Sequence, residues 1–310
     1  MQANNHIKLF TPGSVANISC GFDVLGFCLD PIGDLMQITK TTTPGISIGE
    51  ISGEPIPENP KKNIAAIAAE ALLKEVDTSY GFRIDIEKRI KPGSGIGSSA
   101  ASAAGAVYGI NKLLGSPYTN KELIRFAMEG EAVASGDAHA DNLAPVLLGG
   151  FTLVRCNDTL DVIKLPNPRD LVATVIHPQI ELKTLHSRAI LKATVPLKNA
   201  IQQWGNLGAF VSALYTADYD LLSRSMEDHV IEPYRAMLIP KFEEVRSVAL
   251  AAGALGSGIS GSGPSIFALS KGMKTAKSVG VAMGKIYTNL DLAHQIHYSV
   301  INTEGIKIVP

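Results

Sequence analysis

Apolar and polar residues alternate most clearly at Phe82, Ile84 and Ile86 against Arg83, Asp85 and Glu87, the pattern of a strand with one buried face. A glycine turn follows, and alanines then run through Val107, Tyr108 and Ile110 to Leu113 and Leu114, which predicts a helix. Upstream, residues 7–10 predict a short strand, and residues 12–26 a loop punctuated by Pro and Gly that enters a second strand or a helix near Val24. Residues 45–60 predict a strand and an exposed loop. Ile64, Ile67, Ala68, Ala71 and Leu72 recur at helical spacing over 62–76, with Asn63 placed to cap that helix. Thr119 and Glu122 form a capping box before a helix on which Leu123, Ala127 and Glu131 share one face.

Residues 146–151 predict an apolar strand, and 151–155 with 161–165 a hairpin. Pro166 and Pro168 mark a boundary that divides the chain into 1–167 and 168–310. Beyond it come a strand at 171–176, a loop at 178–185, and helices at 197–214, 219–225 and 241–252. A strand at 266–270, a helix at 274–285 and a strand at 294–301 complete the pattern. Alternation of strands and helices with an antiparallel sheet predicts an α+β class, ferredoxin-like in this second half.

A chain of 310 residues is long enough for one large or two medium domains. Its hydrophobic fraction of 45% and charged fraction of 18% describe an ordinary globular protein. The net charge of -1 offers no electrostatic case for nucleic acid or an anionic membrane as partner. Cys20, Cys28 and Cys156 show no zinc-type spacing and suggest reduced thiols in a cytoplasmic protein. The first ten residues carry no apolar signal core, and no apolar run is long enough to span a membrane.

The turn from Lys91 to Ser99 holds glycines at 93, 95 and 97 and hydroxyls at Ser98 and Ser99, just where a helix begins. A helix start leaves N–H groups unpaired, and glycines let backbone approach an anion, so this reads as a phosphate cradle. It is neither a Walker A loop nor a dinucleotide fingerprint. A Gly/Ser/Ala turn that lets a helix pack tightly gives the same spacing. Other groups also have two readings. Asn17 and Asp23 suit turn chemistry or a polar site. Glu131, in line with an apolar face, is either in a solvated last turn or a magnesium ligand. Asp137, His139, Asp141 and Asn142 can converge on one small molecule. Arg188 and Arg235 suit surface ion pairs or a carboxylate clamp.

Pro92 to Ala101 resembles the Pro-x-x-x-Gly-Leu-Gly-Ser-Ser-Ala motif of the GHMP small-molecule kinases, with Ile96 in place of leucine. Pro12 to Gly26 resembles that family's first motif, with Val15 inserted and Ser19 where glycine is common. Asp137 to Pro145 resembles His-Pro-Asp-Asn-x-Ala-Pro with Ala140 replacing proline, and Gly253 to Ala268 resembles the third motif.

The resemblance implies an α+β, two-domain GHMP kinase fold: an N-terminal ATP-binding domain like ribosomal protein S5 domain 2, then a ferredoxin-like domain. It implies ATP held by Pro92, Gly93, Ser94, Gly95, Ile96, Gly97, Ser98, Ser99, Ala100, Ala101 and Ser102, with adenine contacts near Asn63 and Lys88. Mg²⁺ falls to Ser99 and Glu131. Asn17, Asp23, His139, Asn142, Arg188 and Arg235 match substrate positions: Asp23 for an ammonium, the arginines for a carboxylate. Asp141 matches, approximately, an aspartate that serves as base in one branch, so Glu131, Asp141 and Asn142 form the catalytic set. Together these imply the branch that phosphorylates L-homoserine for threonine synthesis, as a cytoplasmic homodimer. A kinase of another small alcohol such as mevalonate, or a non-catalytic nucleotide-binding relative, are the alternatives.

Overall fold

The computed structural model describes residues 5–135, 139–180, 182 and 184–310, without the side chains of 134, 135 and 184–186. Its first half begins with β1 (His6–Ala16), β2 (Leu25–Thr41), β3 (Gly45–Gly53), α1 (Ile64–Leu73) and β4 (Gly81–Lys88). Then come α2 (Ser98–Leu113), α3 (Leu123–Ser135), α4 (Leu143–Leu148), β5 (Phe151–Cys156) and β6 (Asp161–Leu165). The second half contains β7 (Leu171–Pro178), α5 (Thr184–Ala189), α6 (Leu197–Thr216), α7 (Tyr219–Ser225), α8 (Glu232–Arg235) and α9 (Phe242–Ala251). It closes with β8 (Gly256–Ile259), β9 (Ile266–Lys271), α10 (Met273–Asn289), β10 (His294–Ile301) and β11 (Lys307–Ile308).

β2 is the hub of the sheet. It pairs antiparallel with β1 along most of its length, with β5 at Leu25–Phe27, with β10 at Leu29 and Asp30, and with β4 from Leu35 to Thr41. The path runs β11-β1-β2-β10-β7-β9-β8, with β3 beyond β4 and β6 beyond β5. One strand therefore carries hydrogen bonds to both halves.

Alternation fixes which way the strands face. Phe82, Ile84 and Ile86 of β4 are buried with Met36 and Ile38 of β2 beneath α1 and α2. Ala103, Ala104 and Val107 of α2 join them, fully buried. Small residues let α2 lie close to the sheet: a Cβ on Gly105 would meet Thr11 at 2.4 Å, and one on Gly109 would meet Ile38 at 2.5 Å. The tight-packing reading of the alanine run is thus correct for its later part, whatever its first turn does. At the seam of the two halves Phe27 touches Phe151 and Phe267 at centroid distances of 5.2 and 6.0 Å.

Two expectations change. β1 does not stop at Phe10 but runs to Ala16, because a bulge between Pro12 and Ser14 accommodates the proline without ending the ladder. Residues 146–151 are not a strand: 143–148 form α4, ended by Gly149 at φ 72°, and β5 begins at Phe151. A short apolar run has no period that separates a buried strand from a buried helix. The hairpin, the capping box of Thr119 with Glu122, and helices α6, α7, α9 and α10 stand where the pattern put them.

Candidate active site

The phosphate loop takes its shape from its glycines. Gly93, Gly95 and Gly97 have φ of 73°, 80° and 65°, a region that side chains disfavour. Neighbouring backbone sits where a Cβ on Gly95 would stand, 2.6 Å from Ser260 O and 2.7 Å from Gly263 O. The loop is pinned on two sides. Ser14 N–H donates to Ile96 O at 3.2 Å, and Ser260 Oγ donates to Gly95 O at 2.6 Å. Gly97 opens α2 without a side-chain cap, so no capping side chain closes off the amides of its first turn, at the wall of the cavity.

The two serines divide the work. Ser98 Oγ donates to Ile90 O at 2.9 Å and ties the loop down from within. Ser99 hydrogen-bonds instead to the Glu131 carboxylate. Glu131 is half-buried with its Oε1 out of solvent, and that desolvation raises its pKa although Ser99 and the charge of Lys88 pull it down. A hydroxyl and a carboxylate beside a phosphate cradle are hard oxygen donors of the kind Mg²⁺ takes alongside phosphate oxygens. The donor set fits that ion.

Lys88 lies under the same turn. Its Nζ pairs with the Asp34 carboxylate and donates to Ser98 O at 2.7 Å and Ser102 Oγ at 3.0 Å. Asp34 accepts in turn from the Arg89 and Ile90 amides at 2.8 and 2.9 Å. Both side chains are 1% exposed. Burial lowers the Lys88 pKa, and Asp34 opposes the shift. Sequence reasoning missed Asp34, 54 residues away from its partner, and only an unpaired buried lysine could have signalled it.

Lys88, Asn63, Pro92 and Ser102 also line a separate apolar slot of about 160 Å³, walled by Pro55, Ile56 and Pro57 and reaching Ser98 and Ser99. Asn63 shapes it as a cap: its Oδ1 accepts from the Ala65 and Ala66 amides, while its Nδ2 donates to Pro57 O at 2.7 Å. An apolar slot that reaches Ser98 and Ser99 has the chemistry to take a nucleobase.

The remaining groups meet in a polar cavity of about 120 Å³. Asn17, Asp23, Gly93, Gly95, Gly97, Ser98, Ser99, Glu131, His139, Asp141, Asn142, Arg188 and Arg235 all line it, with Gly261 and Ser262 from the turn between β8 and β9. The side chains of Ile96, Ala100 and Ala101 face the core instead, and Ser94 is buried in the turn. Asp137 lies outside the described residues. Local backbone explains the convergence. Asn17, Ile18, Ser19 and Asp23 all have positive φ, from 36° to 73°, so the chain after β1 curls back on itself. Asn17 closes that curl, accepting from Asp23 N–H at 3.0 Å and donating to Gly261 O at 2.6 Å. Gly26 lets Asp141 in: a Cβ there would stand 1.9 Å from Asp141 O. Asn142 accepts from Ser14 Oγ at 2.8 Å.

Charge in the cavity is dense. Arg188 donates to Asp23 at 2.8 and 3.2 Å, and His139 Nδ1 lies 3.8 Å from the same carboxylate. Arg235 is buried, donating to Ser187 O at 3.0 Å and Gly261 O at 3.3 Å. Burial and then Arg188 bring its pKa down to about 10. Burial, followed by the charge of Asp23, pushes Asp141 up to about 7.

A glycine loop that opens a helix, a flanking carboxylate and two arginines thus meet in one cavity of an α+β fold, and the chain matches the GHMP class of small-molecule kinases. Family models for the GHMP kinases N terminal domain and the GHMP kinases C terminal domain match residues 63–150 and 210–289. "Homoserine kinase" of Chlorobium phaeobacteroides (strain BS1) is 42% identical, covering 97% of this chain and 98% of its own. "Homoserine kinase" of Chloroherpeton thalassium is 44% identical at the same coverage. A crystal structure of homoserine kinase from Cytophaga hutchinsonii superposes with a TM-score of 0.96 at 46% identity, covering 100% of this chain and 99% of that one. The chain belongs to the homoserine kinases, within the GHMP kinase family.

Proposed function

We propose that this protein transfers the γ-phosphoryl group of ATP to the side-chain hydroxyl of L-homoserine, giving ADP and O-phospho-L-homoserine for threonine synthesis in the cytoplasm. The observation that carries this reading is one cavity that holds both a phosphate cradle and opposed charges for an amino acid, Asp23 against Arg188 and Arg235. Phosphoryl transfer asks the protein mainly for positioning and charge neutralisation.

The apolar slot takes the adenine, and residues 92–102 receive the triphosphate on glycine backbone and the amides that open α2. Ser99 and Glu131 hold Mg²⁺, which supplies charge neutralisation at the phosphates when bound. Asp23 receives the ammonium of the amino acid, while Arg188 and Arg235 receive its carboxylate. Asn17, His139 and Asn142 orient the hydroxyl, and Asp141 takes its proton. Release of ADP, measured with homoserine, mevalonate, galactose and no acceptor, tests the assignment. Turnover with homoserine alone is expected; preference for mevalonate, or no turnover, overturns it.

The chain divides at Pro166 to Pro168 into an ATP-binding part and a kinase C-terminal part. Two copies associate through the face of α6 on which Leu197, Ile201 and Trp204 are 69%, 50% and 57% exposed. These residues follow a 4-3 spacing on a helix whose one charged residue is Lys198, so a second copy of that face brings little like charge against it. Sedimentation of the parent and of Trp204→Glu reads this: a dimer that the substitution dissociates.

A further inference from the structure

Asp23 and Arg188 are both assigned to the incoming amino acid, yet in the protein they are bound to each other. The contact is two-pronged, Nη2 to Oδ1 at 2.8 Å and Nη1 to Oδ2 at 3.2 Å. It is also partly shielded, the side chains being 24% and 21% exposed. The groups around the pair make it hard to split. The guanidiniums of Arg188 and Arg235 both lie over the Phe22 ring, 5.6 and 5.0 Å from its centroid. Arg235 is therefore a like-charged neighbour for Arg188. On the other side stands the buried Asp141, whose raised pKa already registers the charge of Asp23. Taking Arg188 away leaves Asp23 without its two direct hydrogen bonds, beside Asp141 and with only His139, 3.8 Å away, and the more distant Arg235 to balance it. Taking Asp23 away leaves two guanidiniums at one ring with Asp141 as the remaining carboxyl group.

We propose that the Asp23–Arg188 ion pair is a latch that only a zwitterion opens. The ammonium of an α-amino acid takes Asp23 while its carboxylate takes Arg188. Two ion pairs then replace one, and no charge is stranded. A ligand with one of the two charges gains one partner and strands the other in a partly desolvated site, which is the costly outcome for an ion pair. On this account the acceptor is selected for carrying both charges at once, before any contact with its hydroxyl. The inference rests on the amino-acid reading of the cavity and adds the mechanism of discrimination.

Two substitutions separate the latch from simple binding contacts. Asp23 has φ 59°, a conformation asparagine tolerates, and its backbone bond to Asn17 survives in Asp23→Asn. Binding is read by calorimetry with L-homoserine, 4-hydroxybutyrate (carboxylate only) and 3-aminopropan-1-ol (ammonium only). Each half-ligand is expected to bind the parent at least about a hundredfold more weakly than homoserine. Asp23→Asn frees Arg188, so it should bind 4-hydroxybutyrate about tenfold more tightly than the parent does while losing homoserine. Arg188→Gln should gain in the same way for 3-aminopropan-1-ol.

Urea unfolding of the ligand-free parent, both single variants and the double variant then asks whether the pair exists before binding. The latch requires the two effects to be non-additive. Additive effects, or variants that bind the half-ligands no better than the parent, overturn it. The unfolding cycle uses no substrate. A parent that fails to phosphorylate homoserine therefore overturns the proposed acceptor, whereas the cycle still judges the ion pair.

Discussion

Ser98 and Ser99 sit side by side, and their hydroxyls point to different partners: Ile90 O for the first, Glu131 for the second. Their alanine variants should therefore fail differently. Ser98→Ala removes a buried hydrogen bond and lowers stability by about 1 kcal/mol, read by urea unfolding, with a modest effect on turnover. Ser99→Ala and Glu131→Gln should keep the fold and lower kcat at least about a hundredfold, with a higher Mg²⁺ requirement in a titration of activity. Equal kinetic defects at Ser98 and Ser99 would contradict the division.

Asp141 makes a pH prediction. In the fold it holds its proton up to about 7, against 3.8 as its ordinary value. Between those values the unfolded chain binds fewer protons than the folded one, so stability falls as pH rises through that window and levels off above it. Asp141→Asn removes this contribution. Its melting temperature should decline less than the parent's from about pH 4 to 7. The same variant should lose about 10²–10⁴ in kcat for want of a proton acceptor. The residues of this cavity were legible where a spacing carried them, as with Glu131 on the apolar face of α3. Asp34 was not: a single aspartate inside β2 has no local pattern, and only the fold brings Lys88 to it.

Among the elements, the phosphate loop is the one whose shape is most sharply determined. Gly95→Ala places a Cβ 2.6 Å from a carbonyl at a φ of 80° and should cost about 1–3 kcal/mol, with loss of nucleotide affinity. Gly205, on the exposed face of α6, is different: a Cβ there would meet nothing within 4 Å among the described residues. In the Trp204→Glu background, where no second copy covers this face of α6, Gly205→Ala should therefore raise stability by about 0.5–1 kcal/mol in the same unfolding assay. The contrast explains what a sequence can say about glycine. Glycines at alternate positions before a helix declared their conformation, while those inside α2 and α6 look alike until the neighbours are known. The same limit produced the misplaced strand at 146–151, since the run from Leu143 to Leu148 is apolar throughout and buried in either form. β4, with a charged residue facing out between each buried one, left no such ambiguity.

At the scale of the whole molecule, the site is assembled from segments far apart in the chain: the curl after β1, the start of α2, the end of α3, the approach to α4, α5, α8 and the β8–β9 turn. None of these segments contains a complete site. The Gly261 carbonyl is where several of them meet, accepting from Asn17 and from Arg235. A change in the β8–β9 turn therefore reaches both the curl after β1 and α8 at once.

β2 bears on how such a molecule can move. A bilobed kinase that closes by swinging one lobe toward the other needs a compliant joint between them, and here the joint is a strand of 17 residues laddered to β1, β4, β5 and β10. Bending it would shear several ladders together. The protein is mechanically a single lever arm, and any closure over bound substrates must come from local segments such as the one bearing Arg188. Small-angle scattering should accordingly give the same radius of gyration with and without nucleotide and acceptor, while among the second-half helices hydrogen exchange slows at α5 and α8, which carry the two arginines. A measurable contraction would show that the strand yields.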